Sequence, residues 1–261
     1  MLGAIAGDII GSVYEHHNLK TKNFPLFEQG CRFTDDTVCT LAVAACLIED
    51  GNFEDYLGDF ACRYQSRGMG GMFLRWAQQW ERKPYNSWGN GSAMRVSPVA
   101  YWASSEAEAL ELARRASEVT HNHPDGLAGA QASALAIWLA RTGRSPMAIR
   151  SEIELQFRYD LSMTVDEIRP HYEFDASCAG SVPQAIVCAL EATDYEDAVR
   201  NAVSIGGDSD TIACIAGGIA EALFGLPEYI GRQARDYLNE EFLEILERFE
   251  GVVGNAFVSH S

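Results

Sequence analysis

The sequence lacks any uncharged apolar run of about 20 residues, the length needed to cross a membrane. The amino terminus has no basic segment, and Asp8 interrupts its apolar run, so we expect no secretory signal. Basic residues are few: 20 Lys and Arg stand against 37 Asp and Glu, which gives a net charge of −17. This excess of acid repels phosphate backbones and anionic lipid, so we expect neither nucleic-acid nor membrane partners.

Paired cysteines are also missing. The seven cysteines form no CxxC pair, and they lie at positions 31, 39, 46, 62, 178, 188 and 214. Most of them fall in apolar stretches with helical periodicity. Such an odd, scattered set does not match a disulfide framework or a zinc site. We therefore expect reduced, buried cysteines and a cytoplasmic protein.

Alternating strand patterns are scarce, whereas helical periodicity dominates the sequence. Helices are predicted over 37–49, 106–119, 129–142, 179–192 and 210–225, with one long closing helix over 228–250. Their alanine and glycine content predicts close contacts between helices. Linkers, repeats and low-complexity segments are absent, so the sequence predicts one compact all-α domain over 1–261 with its active-site cleft formed by loops between helices.

The segments between these helices are unusual in composition for simple connections. They contain glycine, acids, histidine and asparagine, and they lie at 7–18, 31–38, 85–95, 120–126 and 206–211. If the helices pack into one body, several of these loops could meet at one end of it.

Two acidic clusters, TDDT at 34–37 and SDT at 209–211, each precede a strongly apolar helix. Either cluster alone is explained by helix capping, because side-chain oxygens accept hydrogen bonds from free N–H groups and the helix dipole favours negative charge there. Capping needs only one oxygen, however, and adjacent carboxylates repel each other unless a cation neutralises them.

Taken together, the two clusters favour a site for hard divalent cations. Asp35 and Asp36 belong to the first cluster, and Asp208 and Asp210 belong to the second. Mg²⁺ and Mn²⁺ prefer carboxylate and hydroxyl oxygens, and two clusters could hold one ion or a close pair. Paired glycines at 206–207 would let the backbone turn sharply beside the ions. Capping and metal binding are compatible.

Further polar positions, at Asp8, Glu15, Arg95 and the two histidines of 120–126, have roles that the sequence defines less closely. Asp8 is predicted to be a structural hydrogen-bond acceptor, and Arg95 to form a structural salt bridge. Glu15 fits a metal ligand, a supporting group, a general acid or base, or a solvated side chain. His121 is predicted to contact a polar substrate, whereas the role of His123 stays open.

The segment SWGNGS, at 87–92, fits a phosphate-binding loop. Glycine and asparagine allow several N–H groups to converge on an anion, and Trp88 offers a stacking face for a base. The alternative is an ordinary tight turn with an anchoring tryptophan.

Five motifs occur in order over nearly the whole chain: GDIIGSVYE, FTDDT, GNGSAMR, THNHPDG and GGDSDTIACIAGGIAEALFG. Together they resemble the ADP-ribosylglycohydrolase family. The resemblance implies a single all-α domain with a centre of two divalent cations, Mg²⁺ or Mn²⁺. The metal ligands that it implies are Thr34, Asp35, Asp36, Asp208, Asp210 and Thr211.

The same resemblance implies the substrate and the catalytic groups. Glu15 would lie on a mobile segment over the metals and contribute to catalysis. The attacking water would be held by a metal or oriented by Asp36, and Glu15 or a nearby aspartate would manage the proton. The backbone amides of one loop would meet the diphosphate of ADP-ribose, and Trp88 would stack near the adenosine. The substrate-binding residues that it implies are Ser87, Trp88, Gly89, Asn90, Gly91 and His121.

The implied reaction is hydrolysis of the bond between ADP-ribose and a protein side chain or small molecule, with free ADP-ribose as product. We expect a monomer. Two alternatives are a two-metal phosphoesterase that acts on a nucleotide or phosphate ester, and a catalytically silent ADP-ribose-binding protein. The linkage (arginine, serine, guanidine, acetyl or polymer) and the choice between Mg²⁺ and Mn²⁺ stay open, with segment 65–73 as the candidate for acceptor discrimination.

Overall fold

The computed structural model describes residues 1–258, with side chains as far as residue 254; the last three residues of the predicted 1–261 domain lie outside the described part. Within 1–258 the regular structure is helical, and the β-type pairing is confined to an isolated antiparallel bridge between Gly89 and Ser177. The all-α prediction is therefore confirmed. The helices are α1 (Leu2–Gly11), α2 (Asp35–Ile48), α3 (Phe53–Arg63), α4 (Gly71–Ala77), α5 (Ser97–Trp102), α6 (Glu106–Glu118), α7 (Pro124–Arg141), α8 (Pro146–Phe157), α9 (Val165–Ile168), α10 (Cys178–Leu190), α11 (Tyr195–Ser204), α12 (Ser209–Phe224), α13 (Glu228–Arg235) and α14 (Glu240–Val258), with a short 3-10 helix at Asn90–Ser92.

Five of the six predicted helices match α2, α6, α7, α10 and α12, although α7 begins at Pro124, five residues before its predicted start and inside the predicted loop 120–126. The sixth prediction is wrong, because 228–250 is divided between α13 and α14. The break has a local cause: Oδ1 of Asn239 accepts a hydrogen bond from the backbone N–H of Phe242 at 2.9 Å, which caps a new helix. The segment 7–18 was also predicted as a loop, whereas α1 continues to Gly11.

Helices α1 and α12 pack so closely that their backbones are in direct contact. A Cβ atom added to Gly7 would lie 2.0 Å from the carbonyl oxygen of Ala213, and one added to Gly217 would lie 2.4 Å from that of Gly3. Only glycine permits this contact. It confirms the predicted close helix contact, and it places Asp8 of α1 beside the first turn of α12.

The start of α2 completes this junction. The Thr34 side chain caps α2 by accepting a hydrogen bond from the backbone N–H of Asp36. A continuous apolar core extends from Ile5 of α1 to Phe249 of α14. All seven cysteines are free, and Cys62 is the one that is partly exposed. Among the described residues, no helix combines the length and the apolar character that a membrane span requires.

Candidate functional site

Carboxylates from α1, α2 and α12 converge at the junction of these helices. Carboxylate oxygens of Asp8, Asp36 and Asp210 lie within 4.8 Å of one another, and the same holds for Glu15, Asp208 and Asp210. The four aspartates are buried. Within residues 1–254, none of them lies within 4.0 Å of a basic side chain. The fold therefore brings together four buried aspartates without an ion-pair partner among these residues, whereas a carboxylate oxygen of Glu15, at the edge of the cluster, lies 3.7 Å from Nε2 of His16.

Helix starts position these acids. Asp36 lies in the first turn of α2 and Asp210 in the first turn of α12, where the positive end of the helix dipole favours a carboxylate. The chain turns into α12 through Gly206 and Gly207, whose φ angles are +74° and +75°. A Cβ atom on Gly207 would lie 2.4 Å from the Tyr172 ring, so glycine is required both by conformation and by space.

Asp8 supports the start of α2. Its carboxylate accepts hydrogen bonds from the Thr34 backbone N–H at 2.9 Å, from the Thr34 hydroxyl at 2.6 Å and from the Thr37 backbone N–H at 3.1 Å, and the Thr37 hydroxyl donates a fourth. The prediction that Asp8 is a structural acceptor is confirmed. Its oxygens also lie within 4.8 Å of carboxylate oxygens of Asp36 and Asp210, so Asp8 belongs to the acidic centre as well.

The pKa values of the acids are raised throughout the cluster. Burial, followed by repulsion from Asp8, raises the pKa of Asp35 to about 7. Burial and the neighbouring carboxylates hold the pKa values of Asp36 and Asp210 well above their usual range. Burial, together with the charge of Asp208, also raises the pKa of Glu15. In the absence of a cation, the cluster would take up protons.

The donor atoms fit a hard divalent cation. Oδ1 of Asp36 is buried without a hydrogen-bond partner, and the hydroxyls of Thr34 and Thr211 both lie 3.3 Å from its Oδ2. Carboxylate and hydroxyl oxygens are the ligands that Mg²⁺ and Mn²⁺ prefer. All six predicted metal ligands line one cavity of about 430 Å³, namely Thr34, Asp35, Asp36, Asp208, Asp210 and Thr211.

The loop 87–92 forms another wall of this cavity. The Asn90 side-chain amide donates to Oδ2 of Asp208 at 2.7 Å, which joins the loop to the acidic centre. The backbone N–H of Asn90 donates to the Ala176 carbonyl at 2.8 Å, and that of Gly89 donates to Oγ of Ser87 at 3.2 Å. These two amides are used within the protein, which differs from the expectation that the loop amides meet a diphosphate.

Five of the six predicted substrate-binding residues line the cavity, namely Ser87, Gly89, Asn90, Gly91 and His121.

Trp88 is 57% exposed and lies outside the cavity lining, with its ring edge-on to His123 at 5.8 Å. His123 has a structural task that the sequence left open: it caps α7, because its Nδ1 accepts from the backbone N–H of Asp125 at 3.1 Å.

The salt bridge predicted for Arg95 is absent. Its guanidinium is buried and donates to the Ala116 carbonyl and to Oγ1 of Thr120, each at 2.8 Å. Both partners lie at or beyond the end of α6, where helix carbonyls carry partial negative charge. No carboxylate lies within ion-pair distance of Arg95 in the described part of the chain.

Sequence reasoning missed two arginines in the cavity lining. Arg32 immediately precedes the FTDDT motif, and Arg67 lies within 65–73; the Arg67 guanidinium lies 3.9 Å from the centre of the Phe33 ring. A Cβ atom on Gly68 would lie 2.9 Å from Oδ1 of Asp35, so the segment 65–73 does pass beside the acidic centre. The sequence signal that could have identified Arg32 and Arg67 is their position beside or within segments that were already predicted to belong to the site.

The fold and the site define an all-helical protein with a buried acidic centre that suits divalent cations and lines a cavity of about 430 Å³. The sequence matches the ADP-ribosylglycohydrolase family over residues 1–256, and the chain belongs to this family.

Several known proteins are similar to it. Human ADP-ribosylhydrolase ARH3 is 25% identical over 308 aligned residues, which cover 87% of this chain and 85% of the relative. A putative ADP-ribosyl glycohydrolase of Acanthamoeba polyphaga mimivirus is 24% identical, with 86% and 85% covered. A solved structure titled as an ADP-ribosylglycohydrolase-related protein complex superimposes with a TM-score of 0.70 at 23% identity and covers 95% of each chain, which supports the fold.

Proposed function

We propose that this protein is a divalent-cation-dependent hydrolase that cleaves the bond between ADP-ribose and an acceptor and releases ADP-ribose. The observation that carries the proposal is the meeting of buried acids from two helix starts, Asp36 and Asp210, in the cavity bordered by loop 87–92. Membership of the family supports the class of reaction, and the human relative is named an ADP-ribosylhydrolase. We also propose that the protein acts as a monomer in the cytoplasm.

The predicted ligands would hold the cations. These are Thr34, Asp35, Asp36, Asp208, Asp210 and Thr211, and their oxygens suit Mg²⁺ or Mn²⁺. A bound divalent cation supplies Lewis-acid polarisation of substrate oxygens. The buried carboxylates repel one another, so the protein gains stability when positive charge enters the cluster.

Three side chains of the protein would take part directly in the reaction. Oδ1 of Asp36 has no partner and can accept a hydrogen bond from the attacking water. The water oxygen bonds to C1″ of the ribose, and the electrons of the broken bond leave with the acceptor. Glu15, whose pKa is raised by burial, can give that acceptor a proton and later recover one from the water. His121 would orient the substrate from the cavity wall.

The test is a panel of defined ADP-ribosyl substrates, assayed with Mg²⁺ or Mn²⁺ and with chelator, with the product identified. We expect free ADP-ribose only when a cation is present. Asp36→Asn and Asp210→Asn should each reduce turnover at least about 100-fold, the scale of a lost catalytic group. Asp55→Asn is the matched control, because the Asp55 side chain is 69% exposed and remote from the cavity lining.

The products separate the alternatives. Inorganic phosphate or AMP would indicate a two-metal phosphoesterase. Tight binding of ADP-ribose without turnover on any linkage would indicate a silent binding protein. Activity that survives exhaustive chelation would contradict the role of the cations.

A further inference from the structure

Three side chains form a hydrogen-bonded chain behind the cavity wall. Nη2 of Arg95 donates to Oγ1 of Thr120 at 2.8 Å, and Oγ1 of Thr120 lies 2.7 Å from Nδ1 of His121. All three residues are buried. Because neutral histidine carries one ring proton, the direction of the second bond decides which nitrogen faces the cavity as a donor.

The partners of Thr120 fix that direction. Its single hydroxyl proton can go to Nδ1 of His121 or to the Ser117 carbonyl, which is 3.4 Å away. The Ser117 carbonyl already accepts the backbone N–H of His121 at 2.8 Å and that of Thr120 at 3.1 Å. Its two lone pairs are therefore used. The Thr120 hydroxyl therefore donates its hydrogen bond to Nδ1 of His121, which acts as the acceptor.

Electrostatics favour the same arrangement. The guanidinium of Arg95 has no carboxylate partner, so its positive charge acts on the hydroxyl and on the imidazole beyond it. A lone pair on Nδ1 points the negative end of the ring dipole towards this charge, whereas a proton there would point the positive end. Burial, followed by the charge of Arg95, also holds the pKa of His121 well below its usual range, so the ring stays neutral.

The other ring nitrogen reaches open space between two glycines. Nε2 of His121 would lie 3.4 Å from a Cβ atom on Gly91 and 3.6 Å from one on Gly89, so both glycines leave room beside it. The Tyr85 ring lies 6.0 Å from the imidazole, centre to centre. Within residues 1–254, Nε2 has no hydrogen-bond partner, although the residue lines the cavity.

We propose that Arg95 and Thr120 are positioning residues that fix the proton of His121 on Nε2, so that Nε2–H donates a hydrogen bond to a diphosphate oxygen of ADP-ribose. The identity of the ligand rests on the proposed function, whereas the position of the proton does not. Two backbone amides of loop 87–92, those of Gly89 and Asn90, already donate hydrogen bonds within the protein. The His121 side chain would supply a hydrogen-bond donor to the ligand beside this loop.

The tautomer can be read directly by two-bond ¹H–¹⁵N correlation spectra of protein labelled at histidine nitrogen. The chain has six histidines, and a His121→Gln variant assigns the relevant signals. We expect the Nε2–H tautomer in the wild type and in Thr120→Ser, which keeps the hydroxyl. Thr120→Val should give a mixture or the Nδ1–H form.

Calorimetry with ADP-ribose measures the consequence for binding. Thr120→Val should weaken the affinity about tenfold, the scale of one hydrogen bond to a charged group, and Thr120→Ser should stay within about twofold. Because the valine variant also removes an acceptor from Arg95, its melting curve is recorded first. Should it fail to fold, the wild-type spectrum still decides the tautomer.

The outcomes separate this inference from the proposed function. A wild-type Nδ1–H tautomer overturns the inference, and so does a folded Thr120→Val variant with unchanged tautomer and affinity. If the wild type shows the Nε2–H tautomer but binds no ADP-ribose, the ligand is wrong and the assignment of the proton stands.

Discussion

Without divalent cations, the stability of this protein should fall as the pH rises from 5.5 to 7.5. Burial, followed by repulsion from Asp8, raises the pKa of Asp35 from 3.8 to about 7. The folded chain therefore holds this proton more tightly than the unfolded chain, and the free energy of unfolding declines between pH 3.8 and 7. Asp36 and Asp210 act in the same direction, because burial also raises their pKa values.

The size of the effect follows from the shift at Asp35. At about 1.4 kcal/mol per pH unit, the titration of Asp35 alone removes about 2 kcal/mol of stability between pH 5.5 and 7. In a protein of this size, that corresponds to a melting temperature lower by about 4–8 °C. A cation present at about 1,000 times its Kd would add about 4 kcal/mol to the folded state and offset the loss.

The assay is a set of thermal melts at pH 5.5 and 7.5, in chelator and in Mg²⁺. Asp35→Asn should reduce the difference between the two pH values by the share that Asp35 contributes, whereas Asp55→Asn should leave it unchanged, because that side chain is 69% exposed. Comparing these variants also cancels the general effect of the net charge of −17. A metal-free wild type that melts at one temperature at both pH values would refute the reasoning.

Three further results are expected. Gly7→Ala should destabilise the fold by about 3 kcal/mol in chemical denaturation, because its Cβ would lie 2.0 Å from the Ala213 carbonyl oxygen, whereas Gly251→Ala, with open space around it, should not. Trp88→Ala should weaken ADP-ribose binding in calorimetry without lowering the melting temperature, since the ring is 57% exposed. Thiol alkylation of the native protein should begin at Cys62, because it alone is partly exposed, and a buried thiol modified first would contradict this.

Local sequence patterns were sufficient to predict much of the fold. Helices such as α7 and α12 carry long apolar and small-residue patterns that do not depend on a partner, so their positions followed from periodicity. The acidic clusters could also be predicted, because Asp36 and Asp210 lie at the starts of two strongly apolar helices, α2 and α12. The break before α14 was missed, since it depends on a single capping bond from Asn239 within a continuous helical pattern.

Other features depend on contacts that no local pattern contains. Arg95 was expected to pair with an acid, yet its partners are carbonyl and hydroxyl oxygens at the end of α6, more than 20 positions further along the chain. The backbone amides of Gly89 and Asn90 were expected to face a ligand, yet the second of them pairs with Ala176. Both differences arise from tertiary neighbours, which spacing in the sequence does not identify.

The contact between α1 and α12 explains why the two acidic clusters meet at all. Oδ2 of Asp36 and Oγ1 of Thr211 lie 3.3 Å apart although 175 positions separate them in the chain. The glycines of α1 let the backbones of α1 and α12 come into contact. Asp8, on the same helix, orients the Thr34 hydroxyl by accepting its hydrogen bond at 2.6 Å. Because that hydrogen is used and one lone pair accepts the backbone N–H of Asp36, one lone pair of Thr34 remains for a cation. One helix thus brings the clusters together and sets the donor atoms of one of them.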